Sequence, residues 1–187
     1  MSKPYYVILT GSKNNAGDFL IKYRAKQLFS ELRPDRDIVD IDAWKPMTDD
    51  VLSIVNNAEA LILMGGPALQ KKMYPNVYAL RENLDDIKVP ISLMGVGWKS
   101  LNGEWSDSRK YALSDQTKNL LKRVASDGLK SSVRDYHTLN VMQINGNQNT
   151  LMTGCPATYD TKFFDIKIDE SYKNFERVGF SLGVSFL

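Results

Sequence analysis

A chain of 187 residues with 43% apolar residues is sized for one domain with a substantial core, and its formal net charge of +2 argues against a nucleic-acid or anionic-membrane footprint. No apolar run is long enough to span a bilayer, and the start, MSKPYYVILTGSK, reads as a strand rather than a signal peptide. The single cysteine, Cys155, has no intrachain disulfide partner, so the sequence points to the cytoplasm and to Cys155 as a buried filler.

Tyr5–Thr10 is a run of β-branched, aromatic and aliphatic residues and predicts a buried strand. Gly11 to Gly17 is small and polar and predicts a loop. A helix follows from about Asp18 to Leu32, with Phe19, Leu20, Tyr23, Leu28, Phe29 and Leu32 spaced to line one face, and Pro34 stops it. Asp37–Ile41 is a second strand. Asp49–Asn57 is a second helix, capped by Thr48 or Asp49, with Val51, Leu52 and Val55 as its stripe. Ala60–Met64 is continuously apolar, as expected of a strand covered on both faces, and Gly65-Gly66-Pro67 closes it. A helix is predicted over Tyr74–Leu84, with Pro75 in its first turn. Val89–Gly95 is the fourth strand, leaving through Gly95-Val96-Gly97-Trp98, and Leu101–Ser108 reads as a loop over the site. Ser114–Ala125 is a helix with Leu120, Leu121 and Val124 inward. Lys130–Arg134 is a short strand and Asp135–Asn145 a helix with Leu139, Met142 and Ile144 as apolar positions. Thr150–Thr153 is a sixth strand, ended by Gly154-Cys155-Pro156.

The remainder divides the chain at about residue 165. Ile166–Arg177 is charged and linker-like, and Val178–Leu187 is a fresh apolar strand. Such a strand left uncovered invites association. It is read either as the opening of a second domain or a crossing to a partner chain, or as an edge strand completing this domain.

Strands alternating with helices imply parallel strands and right-handed crossovers: an α/β, three-layer, mostly parallel Rossmann-like sheet with helices on both faces. The loops NNAGD, GGP, GVGW, RDYH and TGCP then share one rim, where ligands gather in open α/β sheets. The first loop is neither G-x-x-x-x-G-K-[ST] nor G-x-G-x-x-G, which disfavours a Walker phosphate loop and a nicotinamide cofactor. No HExxH, CxxC or carboxylate cluster supports a metal, and no cofactor is expected. Gly17 lets backbone approach a ligand, and Asn15 lies beside it. Asp18 is either the N-cap of the first helix or an acceptor for substrate hydroxyls. Gly65 and Gly66 either expose backbone amides or make a tight turn. Gly97 is similar, and Trp98 either stacks on a sugar ring or base or packs over the loop. Arg134 either clamps a carboxylate or phosphate or forms a structural ion pair with Asp18 or Asp160. His137, the only histidine, reads as a surface or packing residue unless a partner joins it.

Taken in order, N-x-G-D (Asn15 to Asp18), Gly65-Gly66 after an apolar strand, Gly95-x-Gly97, V-R-D with a hydroxyl at Thr138, and T-G-C-P at Thr153–Pro156 resemble the polysaccharide pyruvyl transferase family. The resemblance covers roughly Tyr5 to Asp160. It departs where the family often has a third glycine at Pro67 and a serine at Thr138. Members of that family move a pyruvyl group from phosphoenolpyruvate to a sugar as a ketal, on a fold similar to the two-domain glycosyltransferase-B type. The resemblance therefore implies that this chain is the amino-terminal half, with Val178–Leu187 opening the second. Their shared rim makes Arg134 and Asp18 the candidate catalytic groups, and Asn15, Gly17, Gly65, Gly66, Gly97, Trp98 and His137 the candidate substrate-binding residues. The resemblance also implies a phosphoenolpyruvate donor and a sugar or lipid-linked oligosaccharide acceptor. The family's donor-binding basic and histidine residues lie largely in the second half, so turnover by this chain alone is open. The alternatives are a nucleotide-sugar transferase half of the same fold and a non-enzymatic carbohydrate-binding module.

Overall fold

Six parallel strands form one sheet in the order β2-β1-β3-β4-β5-β6: β1 (Tyr5–Thr10), β2 (Asp37–Asp42), β3 (Leu61–Leu69), β4 (Ile91–Trp98), β5 (Ser131–Val133) and β6 (Thr150–Met152). The computed structural model describes residues 3–11, 15–100, 102–167, 177 and 179. The predicted strand Val178–Leu187 falls outside these residues except for Gly179, as does most of the predicted linker Ile166–Arg177. Strand order reverses once, between β1 and β3, which is the switch point where a doubly wound sheet opens a crevice at its carboxyl rim.

Alternation along the strands divides the interior into two layers of unequal size. Val7, Leu9, Leu61, Leu63, Ile91 and Leu93 face a large core closed by α2 (Asp49–Asn56), α3 (Met73–Asn76), α5 (Asp115–Ser126) and α6 (Tyr136–Ile144). Ile8, Ile62 and Met64 face a smaller core under α1 (Ala16–Leu32), with Cys155 and Ala157 packed at its border. The three-layer α/β arrangement predicted from the sequence is the one observed.

Four expected elements come out differently. β3 and β4 do not stop at their glycines: β3 continues through Gly65-Gly66-Pro67 to Leu69, and β4 through Gly95 and Gly97 to Trp98. Gly95 has φ +62°, a conformation that favours glycine, and it shifts the phase of β4 so that Val96 and Trp98 join the large core after Ile91 and Leu93. The helix expected over Tyr74–Leu84 is reduced to the single turn of α3, because Tyr74, standing before Pro75, is extended (φ −113°, ψ 129°). The loop expected over 101–108 contains a helical turn, α4 (Trp105–Ser108).

The rotation of α1 also differs. Phe19, Leu20, Tyr23 and Leu32 are exposed, while Ile21 and Ala25 are buried, with Phe29 packed at the edge of the smaller core. Ile21, Ala25 and Phe29 recur every four residues, and that narrow stripe carries Asp18 on the same face. Seating the stripe on the sheet therefore points Asp18 toward the end of β3.

The start of α6 is fastened to β4 by hydrogen bonds. Asp135 caps the helix, its Oδ1 accepting from the Thr138 N–H (2.7 Å) and from the Thr138 hydroxyl (2.7 Å). The same hydroxyl accepts from the Trp98 backbone N–H at 2.7 Å, and Thr138 is fully buried. Thr138→Val is expected to leave the Trp98 N–H without a partner and to cost about 1–3 kcal/mol, whereas Thr138→Ser, which keeps the hydroxyl, costs less than about 1 kcal/mol. Urea denaturation of the two variants measures the difference.

Tyr78 is also fully buried, donating its hydroxyl to the Met64 carbonyl at 2.7 Å. Burial, with a smaller push from the Asp18 carboxylate, raises its phenol above the ordinary range. Above pH ~10 the unfolded chain loses this proton and the folded chain keeps it, so stability falls with rising pH by up to about 1.4 kcal/mol per pH unit. Tyr78→Phe is expected to shallow that slope in denaturation curves recorded between about pH 8 and about pH 11, at a cost near neutrality of about 1 kcal/mol for the lost hydrogen bond.

Candidate functional site

The carboxyl rim is built on glycines whose missing side chains leave room for neighbours. A Cβ at Gly66 would lie 2.9 Å from Asp18 Oδ1, and Gly66 has φ +99°. A Cβ at Gly97 would overlap the Nε, Cζ and Cδ of Arg134. A Cβ at Gly95 would overlap the ring of Pro156, and one at Gly65 would overlap the Gly95 carbonyl. Gly65 and Gly95 thus allow β3, β4 and the segment after β6 to close on one another. Gly66 and Gly97 are ledges on which two charged side chains lie.

Those ledges are neighbours. Gly66 is in register with Val96, so Gly97 stands about one strand spacing, ~4.8 Å, across and one residue, ~3.3 Å, along the sheet. Val96, Trp98 and Val133 belong to the large core, so Gly97 and Arg134 turn to the other side of the sheet, the side on which α1 carries Asp18. Asp18 and Arg134 consequently share one side of the rim. The Arg134 Nε meets Asp135 Oδ2 at 3.4 Å, and among the described residues no other carboxylate pairs with its guanidinium. Asp160, one expected partner, is engaged instead by Arg24 at 2.7 Å.

Asn15, not Asp18, is the N-cap of α1: its Oδ1 accepts from the Gly17 N–H at 2.8 Å, and a Cβ at Gly17 would crowd that oxygen at 3.1 Å. Asp18 sits in the first helical turn, where the helix dipole favours a carboxylate. A cavity of about 160 Å³ opens beside it at the β1–β3 switch point, lined by Gly11, Asp18, Gly65, Gly66, Pro67 and Gln70 among others.

Trp98 is 6% exposed, its ring held edge-on by Tyr111 at 5.4 Å, so it packs into the core and presents no open face to a ligand. His137 lies between two tryptophans, 5.8 Å from the Trp98 ring centre and 4.0 Å from that of Trp105. Sequence reasoning passed over Trp105, because an isolated aromatic in a polar, glycine-bearing stretch carries no periodic signal. The structure thus brings Asn15, Gly17, Asp18, Gly65, Gly66, Gly97 and Arg134 together on the α1 side, with Trp98 and His137 across the end of β4.

A larger cavity, about 640 Å³, lies elsewhere, along the outer face of α1 and the start of β2. Three of its cations already have partners: Lys3 with Asp37, Lys22 with Asp40, and Arg36 with Asp35 and Glu59. It gathers none of the rim groups except through α1 itself. Among the described residues no cluster of three or more histidine, cysteine, aspartate or glutamate side chains is placed to hold a metal ion, and no helix is long and apolar enough to cross a membrane.

Comparison with known proteins supplies one match. The family model described as polysaccharide pyruvyl transferase aligns with residues 15–185, starting at the cap residue Asn15 and including every rim group described above. No curated protein and no solved structure matches the chain. With nearly its whole length under that model and its motifs meeting at one rim, the chain belongs to the polysaccharide pyruvyl transferase family.

Proposed function

We propose that this chain forms the amino-terminal half of an enzyme that transfers a pyruvyl group from phosphoenolpyruvate to two hydroxyls of a sugar in a surface polysaccharide or its lipid-linked precursor. The reading places the enzyme in the cytoplasm, takes no cofactor, and assigns the rest of the donor site to a second half. The observation that supports it best is the juxtaposition of Asp18 and Arg134 on adjacent glycine ledges at the ends of β3 and β4.

The chemistry is a ketal exchange. A proton is added to the methylene carbon of the enol, and the π electrons form the new C–H bond. The adjacent carbon develops oxocarbenium character. One sugar hydroxyl adds to it, phosphate leaves with the C–O bonding pair, and the second hydroxyl closes the ketal. The two hydroxyl protons balance the one taken up by the methylene and the one carried off by phosphate. Such a reaction needs fixed positive charge for the donor's carboxylate and phosphate, and an acceptor that orients the attacking hydroxyls.

Arg134 fits the first requirement. Its guanidinium lies against Gly97, and its planar fork suits carboxylate and phosphate. Asp18 fits the second: as a carboxylate it accepts from sugar hydroxyls and repels phosphate, so the two ledges separate acceptor from donor. Asn15, with its Oδ1 committed to the cap, retains an amide N–H₂ for the same hydroxyls.

In the protein with its complete coding sequence, incubation with phosphoenolpyruvate and oligosaccharides is expected to release phosphate and yield a saccharide heavier by one pyruvyl ketal. A glycosidic product from a nucleotide sugar instead would refute the reading. Arg134→Ala is expected to lower the transfer rate by about 10²-fold or more without unfolding the chain. Gly97→Ala, which displaces the guanidinium, should lower it in the same direction, and Arg134→Lys, which keeps the charge without the planar fork, should fall between. Unchanged steady-state kinetics in Arg134→Ala would remove that residue from the mechanism.

A further inference from the structure

Trp105 is a large aromatic at the rim whose ring is stacked on one face while the residue stays exposed. One face stacks on His137, with ring centres 4.0 Å apart and planes inclined by 26°, yet the residue remains 47% exposed. His137 in turn stacks on Trp98 (5.8 Å, 24°), and Trp98 is anchored in the large core by Thr138 and Tyr111. The His137 Nδ1 is enclosed without a hydrogen-bond partner among the described residues, so stacking is what orients that ring. Three rings thus form a column rising from the core to the surface, with Trp105 on top.

The turn that carries Trp105 is itself tied down. The Trp105 carbonyl accepts from the Ser108 hydroxyl (3.0 Å), and Asn140 on α6 donates to Ser108 Oγ (3.3 Å). Upstream, Ser100 Oγ accepts from the N–H groups of Asn102 (3.2 Å) and Gly103 (2.6 Å). The side chains next to the ring in sequence are Glu104, Ser106 and Asp107, which are hydrogen-bonding groups of neutral or negative charge. His137 lies three residues after Arg134, in the first turn of α6, so the column rises from the helix that follows β5.

We propose that Trp105 is the platform on which a pyranose ring of the acceptor stacks, with His137 as the positioning residue beneath it. A pyranose presents a face of C–H groups that packs on the electron-rich face of an indole, while its equatorial hydroxyls reach outward to carboxylates and amides. Glu104 and Asp107 suit those hydroxyls and disfavour a phosphate-bearing nucleotide. The rigidity of the column lowers the ordering cost of binding. This assignment rests on the reading of the protein as a sugar-accepting transferase, and the stacked pyranose is a unit of the acceptor other than the one whose hydroxyls meet Asp18.

The test is calorimetric titration and saturation-transfer NMR of the full protein with cellobiose, lactose and chitobiose in the absence of phosphoenolpyruvate, repeated with Trp105→Ala, Trp105→Phe and His137→Ala. Trp105→Ala is expected to weaken saccharide binding about fivefold to tenfold. Trp105→Phe should retain most of the affinity and His137→Ala should lose part of it, while the KM for phosphoenolpyruvate stays unchanged in all three. Wild-type binding of a saccharide that Trp105→Ala matches within about twofold overturns this inference and leaves the transferase reading standing. Wild-type protein that binds no saccharide, or that binds uridine or adenosine in preference, overturns the platform and the transferase reading together.

Discussion

The rim depends on close approach at four glycines. Gly65 brings β3 against the Gly95 carbonyl, and Gly95 receives the Pro156 ring. Gly66 and Gly97 receive the ends of Asp18 and Arg134. Any side chain at these positions competes for volume that another group already fills, and a packed interior does not yield such volume cheaply. The glycines are therefore less a flexible ligand loop than sockets in a rigid sheet end. At Gly66 and Gly95 the backbone adds a second constraint, since both have positive φ.

Several short motifs in this chain are halves of one contact. The aspartate of N-x-G-D lies on the second glycine of the Gly65-Gly66 pair, and the arginine of V-R-D lies on the last glycine of Gly95-x-Gly97. The proline of T-G-C-P fills the hollow over Gly95. The hydroxyl of Thr138 joins the aspartate of V-R-D to the backbone of Trp98. A serine would serve there equally, because the hydroxyl carries both bonds. Asp135, Gly65, Gly95 and Thr138 thus account for themselves by holding the fold. Asp18 and Arg134 are the charged groups that this scaffold delivers to the rim.

The two faces of the sheet contribute differently. The large core fixes α5 and α6, so Arg134 and the His137 column stand on the better-buttressed part of the molecule. The smaller core is covered chiefly by α1, seated through Ile21 and Ala25. Because that stripe is narrow, α1 leaves Phe19, Leu20 and Tyr23 in solvent and still delivers Asp18 over Gly66. Helix position here follows from what the carboxylate and the two small apolar residues reach together, not from the largest apolar surface the helix could bury.

From the order of residues alone came the parallel α/β architecture, the six strands and the shared rim, because buried strands and helix starts leave local signatures: YYVILT, ALILM, and the helix starts at Thr48–Asp49, Ser114 and Asp135. The family was also legible, since its motifs keep their order along the chain. The rotation of α1 was not, because Phe19, Leu20 and Tyr23 carry more apolar surface than Ile21 and Ala25, and contact with β3 and the segment after β6 selects between the two faces. Nor was the passage of β3 and β4 through their glycines, since a glycine pair signals a turn locally and a strand only when a neighbouring strand approaches it. Tertiary packing likewise exchanged the roles of the tryptophans. Trp98 is drawn inward by the phase shift at Gly95, and Trp105 is lifted to the surface on His137, a relation between residues 32 positions apart in the chain that no local pattern encodes.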